Sequence, residues 1–273
     1  MSESELREFA AGIRKSIIEM AFSCKQGVHI GGAMSTVDIL AVLYGKIMRY
    51  DPQNPEDDNR DRFILSKGHA CTGLYAALNI IGFISDDELM ANYQTDGGFL
   101  PVHTVKNISR GIECTSGSLG MGLSFGIGKA LAAKLDGKNF KVYIVAGDGE
   151  CNEGEIWEAA AAAKQYGLDN LILIIDRNRF QNDGKTEEIM DIDLAAVFKG
   201  FGWNVSEVDG HDIEALAIAL NTASNNTAHI PCVIIAHTVK GKGVSFMEND
   251  NIWHHGHITE KQYLAAKEEL YGD

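Results

Sequence analysis

At 273 residues, with 45% hydrophobic and 23% charged positions, the chain has the composition of a folded globular protein and enough length to bury a large core. Thirty-eight acidic against 24 basic residues leave a net charge of −14, which argues against a nucleic-acid backbone as the main ligand. Five scattered cysteines without a CxxC pair, an opening "MSESELREFA" without a signal-peptide pattern and no apolar run near ~20 residues point to a soluble cytoplasmic protein.

Leu6, Phe9, Ile13, Ile17, Met20 and Ala21 recur at helical spacing and predict a helix over 3–25. A second helix, about 35–48, is expected to open at Ser35 or Thr36, with Asp38 complementing its dipole. "RYDPQNPEDDNRD" reads as a polar loop, "RFILS" as a short buried strand, and "GHACTGLYAALNIIG" as the helix behind it. The irregular stretch 96–120 is long enough to suggest a functional loop. "GMGLSFGIGKALAAKL" is a glycine-rich helix that demands close packing. There follow strand "KVYIVAG", helix "EIWEAAAAAKQYG", strand "NLILIID", a helix near 191–202, strand "WNVSEV", helix 212–224 and strand "CVIIAHT". Continuous apolar strands alternating with helices predict one α/β domain over 1–273, a three-layer, doubly wound, mostly parallel sheet with helices on both faces. A charged helix closes the sequence, which reads as running between natural termini.

In such a sheet ligands sit at the carboxyl edge. Asp148 follows the strand ending near 146 and Asn178 lies just past the next strand, so a βαβ unit brings both to that edge. A carboxylate, a side-chain carbonyl and a backbone carbonyl such as that of Phe180 suit a hard divalent ion, Mg²⁺ or alternatively Ca²⁺ or Mn²⁺, sharing oxygens with a phosphate. Gly147 and Gly149 permit a sharp turn and close backbone approach. On spacing alone, Asp-Gly is equally a plain turn and Asp-Arg-Asn a plain strand exit. Nine histidines are unevenly placed, several beside glycine, and imidazole suits both hydroxyl recognition and proton transfer near neutral pH.

"GDGECNEGEIWEAAAAAKQYGLDNLILIIDRN" resembles the thiamine-diphosphate motif, and its interior resembles transketolases in particular. "SKGHA" (66–70), "GSLGMG" (117–122) and "TVKGKGVSFME" (238–248) match transketolase signatures in order, so the likeness covers nearly the whole chain. The resemblance implies that Asp148, Asn178 and the Phe180 carbonyl hold the metal. Gly117, Leu119, Gly147, Gly149 and His69 would contact thiamine diphosphate, and Glu153 and Glu158 would lie near a dimer interface coupling two active sites. His29, His69, His103 and one or both of His254 and His255 would surround the reacting centre, with His255, which precedes a glycine, favoured. His211 and His229 match no motif and are expected at the surface, while His237 ends a strand and is a core candidate. Glu150 and Glu155 have no expected role beyond solvation and helix-dipole complementarity. Val28 and Met121 depart from the family's glycine and glutamine, on the substrate side.

The family's pyrimidine-binding and C-terminal domains have no counterpart in this sequence, and with them the glutamate that activates the aminopyrimidine ring. The resemblance therefore implies the diphosphate-binding subunit of a split transketolase, completed by a second chain in an α2β2 heterotetramer. It would transfer a two-carbon ketol unit from a ketose phosphate to an aldose, with pentose phosphates or an unusual sugar as substrate. The alternatives are the α subunit of a 2-oxo acid dehydrogenase E1, which the histidine set and "SKGHA" disfavour, and a non-catalytic thiamine-diphosphate-binding subunit.

Overall fold

Alternation along each strand assigns every second side chain to one of two cores. The computed structural model describes residues 1–272. In chain order these form α1 (Glu3–Ser23), α2 (Ile30–Ser35), α3 (Val37–Val42), β1 (Arg62–Leu65), α4 (Cys71–Ile80) and α5 (Asp86–Asn92). Next come α6 (Met121–Leu135), β2 (Val142–Gly147), α7 (Gly154–Gln165), β3 (Leu171–Arg177), β4 (Phe180–Gln181), β5 (Gly184–Lys185) and α8 (Thr186–Ile189). The remainder is α9 (Leu194–Gly200), β6 (Asn204–Asp209), α10 (Ile213–Ser224), β7 (Cys232–His237) and α11 (Glu260–Tyr271).

Five strands make one parallel sheet in the order β1-β2-β3-β7-β6, and β4 and β5 form a separate antiparallel hairpin. Phe63, Leu65, Tyr143, Val145, Ile172, Ile174 and Ile234 face one core, shared with α1, α3, α4 and α10. Ile64, Val142, Ile144, Leu171, Leu173, Ile175 and Val233 face the other, shared with α6, α7 and α9. The three-layer arrangement expected from the apolar strands is present. The edge strand β6, reading Asn-Val-Ser-Glu-Val-Asp, is half-exposed along its length.

The glycine-rich helix packs as its composition demands: a Cβ at Gly126 would overlap the Ile144 Cδ1, and one at Gly122 would overlap Ser66. Helix 35–48 differs from expectation. It starts five residues earlier, at Ile30, breaks at Thr36 and ends in a π-turn over Leu43–Ile47. Neither hydroxyl caps it. Thr36 bonds back to the Ala33 carbonyl at 2.8 Å, and Ser35 reaches Asp176 Oδ2 at 2.7 Å. Asp38 is engaged by Arg14 and His211 rather than serving the helix dipole alone. The helix near 191–202 is shorter, Leu194–Gly200, capped by Asp193. Among the described residues no helix is long and apolar enough to cross a membrane, and all five cysteines are free thiols.

Candidate cofactor and substrate site

Gly147 of β2 pairs with Asp176 of β3, so the chain leaves both strands at the same edge. Asp148 and Asn178, thirty positions apart, meet there. Asp148 accepts from the Gly149 N–H at 2.9 Å and the Arg179 N–H at 2.7 Å, and the Asn178 Oδ1 accepts from the Phe180 N–H at 3.0 Å. Both side chains line a cavity of about 240 Å³ with Phe180, Gly147, Gly149, Leu119, Glu153, Lys67, His69 and His254. A Cβ at Gly149 would come within 2.7 Å of the Gln181 Cβ, so the turn admits no side chain.

Burial, aided by nearby Asp176, pushes Asp148 up to about 6. Its charge is thus poorly compensated by the protein itself, the condition under which a cation binds well. Among the described residues no group of three His, Cys, Asp or Glu side chains converges as a metal cage. A cation at Asp148 would complete its shell with amide and carbonyl oxygens and with the ligand's own. That donor set fits Mg²⁺ or Ca²⁺ bound to a diphosphate. A larger hollow of about 570 Å³ between β6 and α10 lies at the opposite edge of the sheet, and neither carboxylate nor imidazole lines it.

Two buried carboxylates support the cavity, Glu150 in its lining and Asp176 behind Lys67 and Asn178. Asp176, fully buried, receives the Lys67 ammonium, the Thr238 hydroxyl, the Ser35 hydroxyl and, at 3.1 Å, the Asn178 amide. Burial raises its proton affinity, but Lys67 and these donors outweigh burial and leave it below the usual carboxylate range. Glu150 overturns expectation: it is 3% exposed rather than solvated. It accepts from the Ser66 hydroxyl, from the Gly120 N–H at 2.8 Å and from the Gly147 N–H at 3.0 Å. One carboxylate therefore joins the segments carrying "SKGHA", "GSLG" and "GDG". Glu155 likewise accepts from the Ser124 hydroxyl.

The histidines gather around His29. Its ring centroid lies 5.4 Å from His69, 6.0 Å from His103, 5.5 Å from His254 and 4.5 Å from His255. The His29 loop and the "WHHGH" segment are joined by paired backbone bonds between Val28 and Gly256, at 2.8 and 3.1 Å. His103 rides on the irregular stretch, which α4 pins by Tyr75 Oη to the Pro101 carbonyl at 3.0 Å and by Cys71 Sγ to the Val102 carbonyl at 3.2 Å. Gly117 packs against the His103 ring, where its Cβ would lie 3.8 Å from Cγ. His29 Nδ1 is buried without a hydrogen-bond partner among the described residues, as a group facing a bound ligand would be. Burial and the neighbouring imidazoles lower His29 to about 3, and burial and Lys240 lower His254 to about 4. Burial and Lys67 hold His69 well below its ordinary value. These three imidazoles are neutral at pH 7, able to donate and accept hydrogen bonds without adding charge.

A family model described as transketolase, thiamine diphosphate binding domain, matches residues 7–272. The chain belongs to the transketolase family. It is 44% identical over 258 residues to an apulose-4-phosphate transketolase subunit of Phocaeicola vulgatus, covering 94% of this chain and 90% of that one. It is 40% identical over 273 residues to the 6-deoxy-6-sulfo-D-fructose transketolase subunit SqwG of a Clostridium species, covering 99% and 98%. The transketolase of Leishmania mexicana superposes with a TM-score of 0.90 at 29% identity, over 97% of this chain and 41% of that one. The chain thus spans about the length of the two single-subunit relatives and less than half of that solved transketolase.

Within this transketolase fold, several residues stand apart from what the sequence leads one to expect. Lys240, in the "TVKGKG" block, is 1% exposed and donates to the Asn251 Oδ1 at 2.7 Å and the His254 Nδ1 at 3.1 Å; burial lowers it to about 8. A lysine inside an apolar-flanked glycine motif was the signal available for it. His211 is not a surface residue: its side chain is 12% exposed and bonded at both nitrogens. His237 is not core but half-exposed against Glu207, and His229, 80% exposed, is at the surface as expected. His254 lines the cavity beside Asp148, whereas His255 is exposed and packs over Gly27. Glu153 and Glu158 are both exposed, Glu153 at the cavity rim and Glu158 on α7.

Proposed function

We propose that this chain is the diphosphate-binding subunit of a two-chain transketolase that moves a two-carbon ketol unit from a ketose phosphate to an aldose acceptor. The observation that carries the reading is the single cavity lined by Asp148, Asn178, Phe180, His69 and His254, with the remaining histidines around His29 beside it. Asp148, the Asn178 side-chain oxygen and the Phe180 carbonyl hold a divalent cation, most suitably Mg²⁺, and through it the diphosphate. Gly147, Gly149, Gly117 and Leu119 give the cofactor close approach, with Glu153 at its rim. Thiamine diphosphate, when bound, supplies the electron sink for breaking and forming the carbon–carbon bond. His29, His69, His103, His254 and His255 would hydrogen-bond the sugar hydroxyls, take the proton of the donor C3 hydroxyl as the C2–C3 bond breaks and return one to the acceptor aldehyde oxygen as the new bond forms.

A second chain carries the pyrimidine-binding domain, and the pair assembles as an α2β2 heterotetramer in the cytoplasm. That two relatives of matching length are named as subunits supports a partner chain, and the sugars in their names, a phosphate and a sulfonate, support a ketose substrate with an anionic substituent. Exposed Leu119, Met121 and Phe125 at the start of α6, with Glu153 and Glu158 nearby, suit a contact that completes the site. The test is reconstitution. The purified chain with Mg²⁺ and thiamine diphosphate is expected to show little ketol transfer, and addition of a chain carrying the pyrimidine-binding domain restores turnover. Full activity from this chain alone refutes the two-chain reading; Asp148→Ala that still binds the cofactor normally refutes the metal assignment.

A further inference from the structure

His211 lies on the β6–α10 connection and lines no part of the Asp148 cavity. Its Nε2 is 2.8 Å from the Val239 nitrogen, a backbone N–H that can only donate. Nε2 is therefore an acceptor, and the ring proton sits on Nδ1, which faces Asp38 Oδ2 at 2.7 Å. Asp38 is in turn held by Arg14, whose Nη1 donates to Oδ1 at 3.1 Å and whose Nε reaches the Lys242 carbonyl at 3.2 Å. The chain of contacts runs from α1 through α3 to the segment after β7.

That segment is pinned on both sides of Val239. Thr238 donates to Asp176, and Lys240 donates to Asn251 and to the His254 Nδ1. The Lys240 stem packs on α2, where a Cβ at Gly31 would come within 2.9 Å of its Cγ, and Gly241 N–H bonds the Gly31 carbonyl at 3.0 Å. A backbone rotation at Val239 would move Thr238 and Lys240 together, because they flank it directly. We propose that His211 is a positioning residue: oriented by Asp38, it accepts the Val239 N–H and so fixes the direction in which Lys240 meets His254 and the cofactor cavity. The effect on the cofactor rests on the transketolase reading; the hydrogen-bond relay does not.

Two variants separate positioning from bulk stability. Asn at 211 can reach Asp38 but is too short for Val239, whereas Gln places an amide oxygen near the Nε2 position. In ¹⁵N imidazole spectra of the full chain, His211 is expected as the Nδ1–H tautomer. His211→Asn is expected to speed amide exchange at Val239 about ten-fold, the loss of one part-buried hydrogen bond, and to shift the His254 Nδ1 resonance. His211→Gln restores both. Binding of thiamine diphosphate with Mg²⁺, followed by the fluorescence of Trp253 beside His254, is expected to weaken about ten-fold in His211→Asn and to recover in His211→Gln. An Nε2–H tautomer in the natural chain, or equal behaviour of the two variants, overturns the proposal. A natural chain that binds no thiamine diphosphate refutes the family-based cofactor reading, while the tautomer and exchange still decide the relay.

Discussion

Glu150→Gln removes a charge and turns one acceptor into a donor at a site where three donors converge. If the amide oxygen stays toward the Ser66 hydroxyl and the Gly120 N–H, the new NH₂ faces the Gly147 N–H. If it flips, the NH₂ faces Gly120 instead. In either orientation one buried backbone N–H loses its acceptor, at about 1–3 kcal/mol. The surviving bonds fall from charge-assisted to neutral, which costs about 1 kcal/mol more. Against this, burial already raises Glu150 above the usual carboxylate range, so removing the charge returns part of the loss. A net destabilisation of about 2 kcal/mol remains, equivalent to a fall in Tm of about 4–8 °C for a domain of this size. Thermal unfolding and urea titration of the cofactor-free chain measure it. Thiamine diphosphate affinity should fall in parallel, because the carboxylate ties together the three segments that face the cavity. A Glu150→Gln variant that melts together with the natural chain would show that these bonds do not hold the cavity lining.

Asp148→Asn should abolish Mg²⁺-dependent cofactor binding yet stabilise the cofactor-free chain above pH 7. The folded-state pKa is raised to about 6, so the natural chain loses stability as pH rises toward that value from the unfolded one, and the variant does not. Allowing for the Arg179 N–H that then faces an amide, the gain is about 1–2 kcal/mol, read from urea unfolding with chelator present. Gly126→Ala should destabilise by about 1–3 kcal/mol, because its Cβ overlaps Ile144, whereas Gly128→Ala meets nothing within 4 Å and should stabilise by about 0.5–1 kcal/mol. Equal effects at the two glycines would refute the close packing of α6 on the sheet. His29 and His254 have folded pKa values depressed to about 3 and 4, so as pH falls below the ordinary histidine value the unfolded chain takes up protons that they refuse. Stability should therefore fall on acidification, and His29→Gln should reduce the fall between about pH 7 and 5 by about 1–2 kcal/mol after discounting for partial exposure. An unchanged pH slope would mean that His29 protonates freely in the folded state.

The sheet was legible because a strand buried on both faces must be apolar throughout, as "VYIVAG" and "LILIID" are. Asp148 and Asn178 were legible because a βαβ unit fixes where two strand ends meet. Glu150 was not, since what buries it, the Ser66 hydroxyl and the Gly120 amide, comes from positions 84 and 30 residues away. His211 was missed for the same reason: both its partners are remote, at Asp38 and Val239. The start at Ile30 was hidden because "IGGAMS" has poor helix propensity and no cap, and its glycines serve close approach to Lys240 and His69. Ser35 looked like a cap because its hydroxyl had no other visible use; its acceptor lies 141 residues on, at Asp176.

The strand order also sets a timetable for folding on the ribosome. β7, the last strand to be made, sits between β3 and β6, and β6 bonds to no other strand. A nascent chain that has emerged only through residue 231 therefore holds three neighbouring strands of the main sheet, the β4–β5 hairpin and a β6 whose partner strand is not yet made. The β7 segment then arrives as an insertion, pairing on both sides at once, and the Lys240 and "WHHGH" segments follow it out. The cavity around Asp148 cannot close until those segments have emerged, so cofactor capture comes late, after the whole sheet is in place.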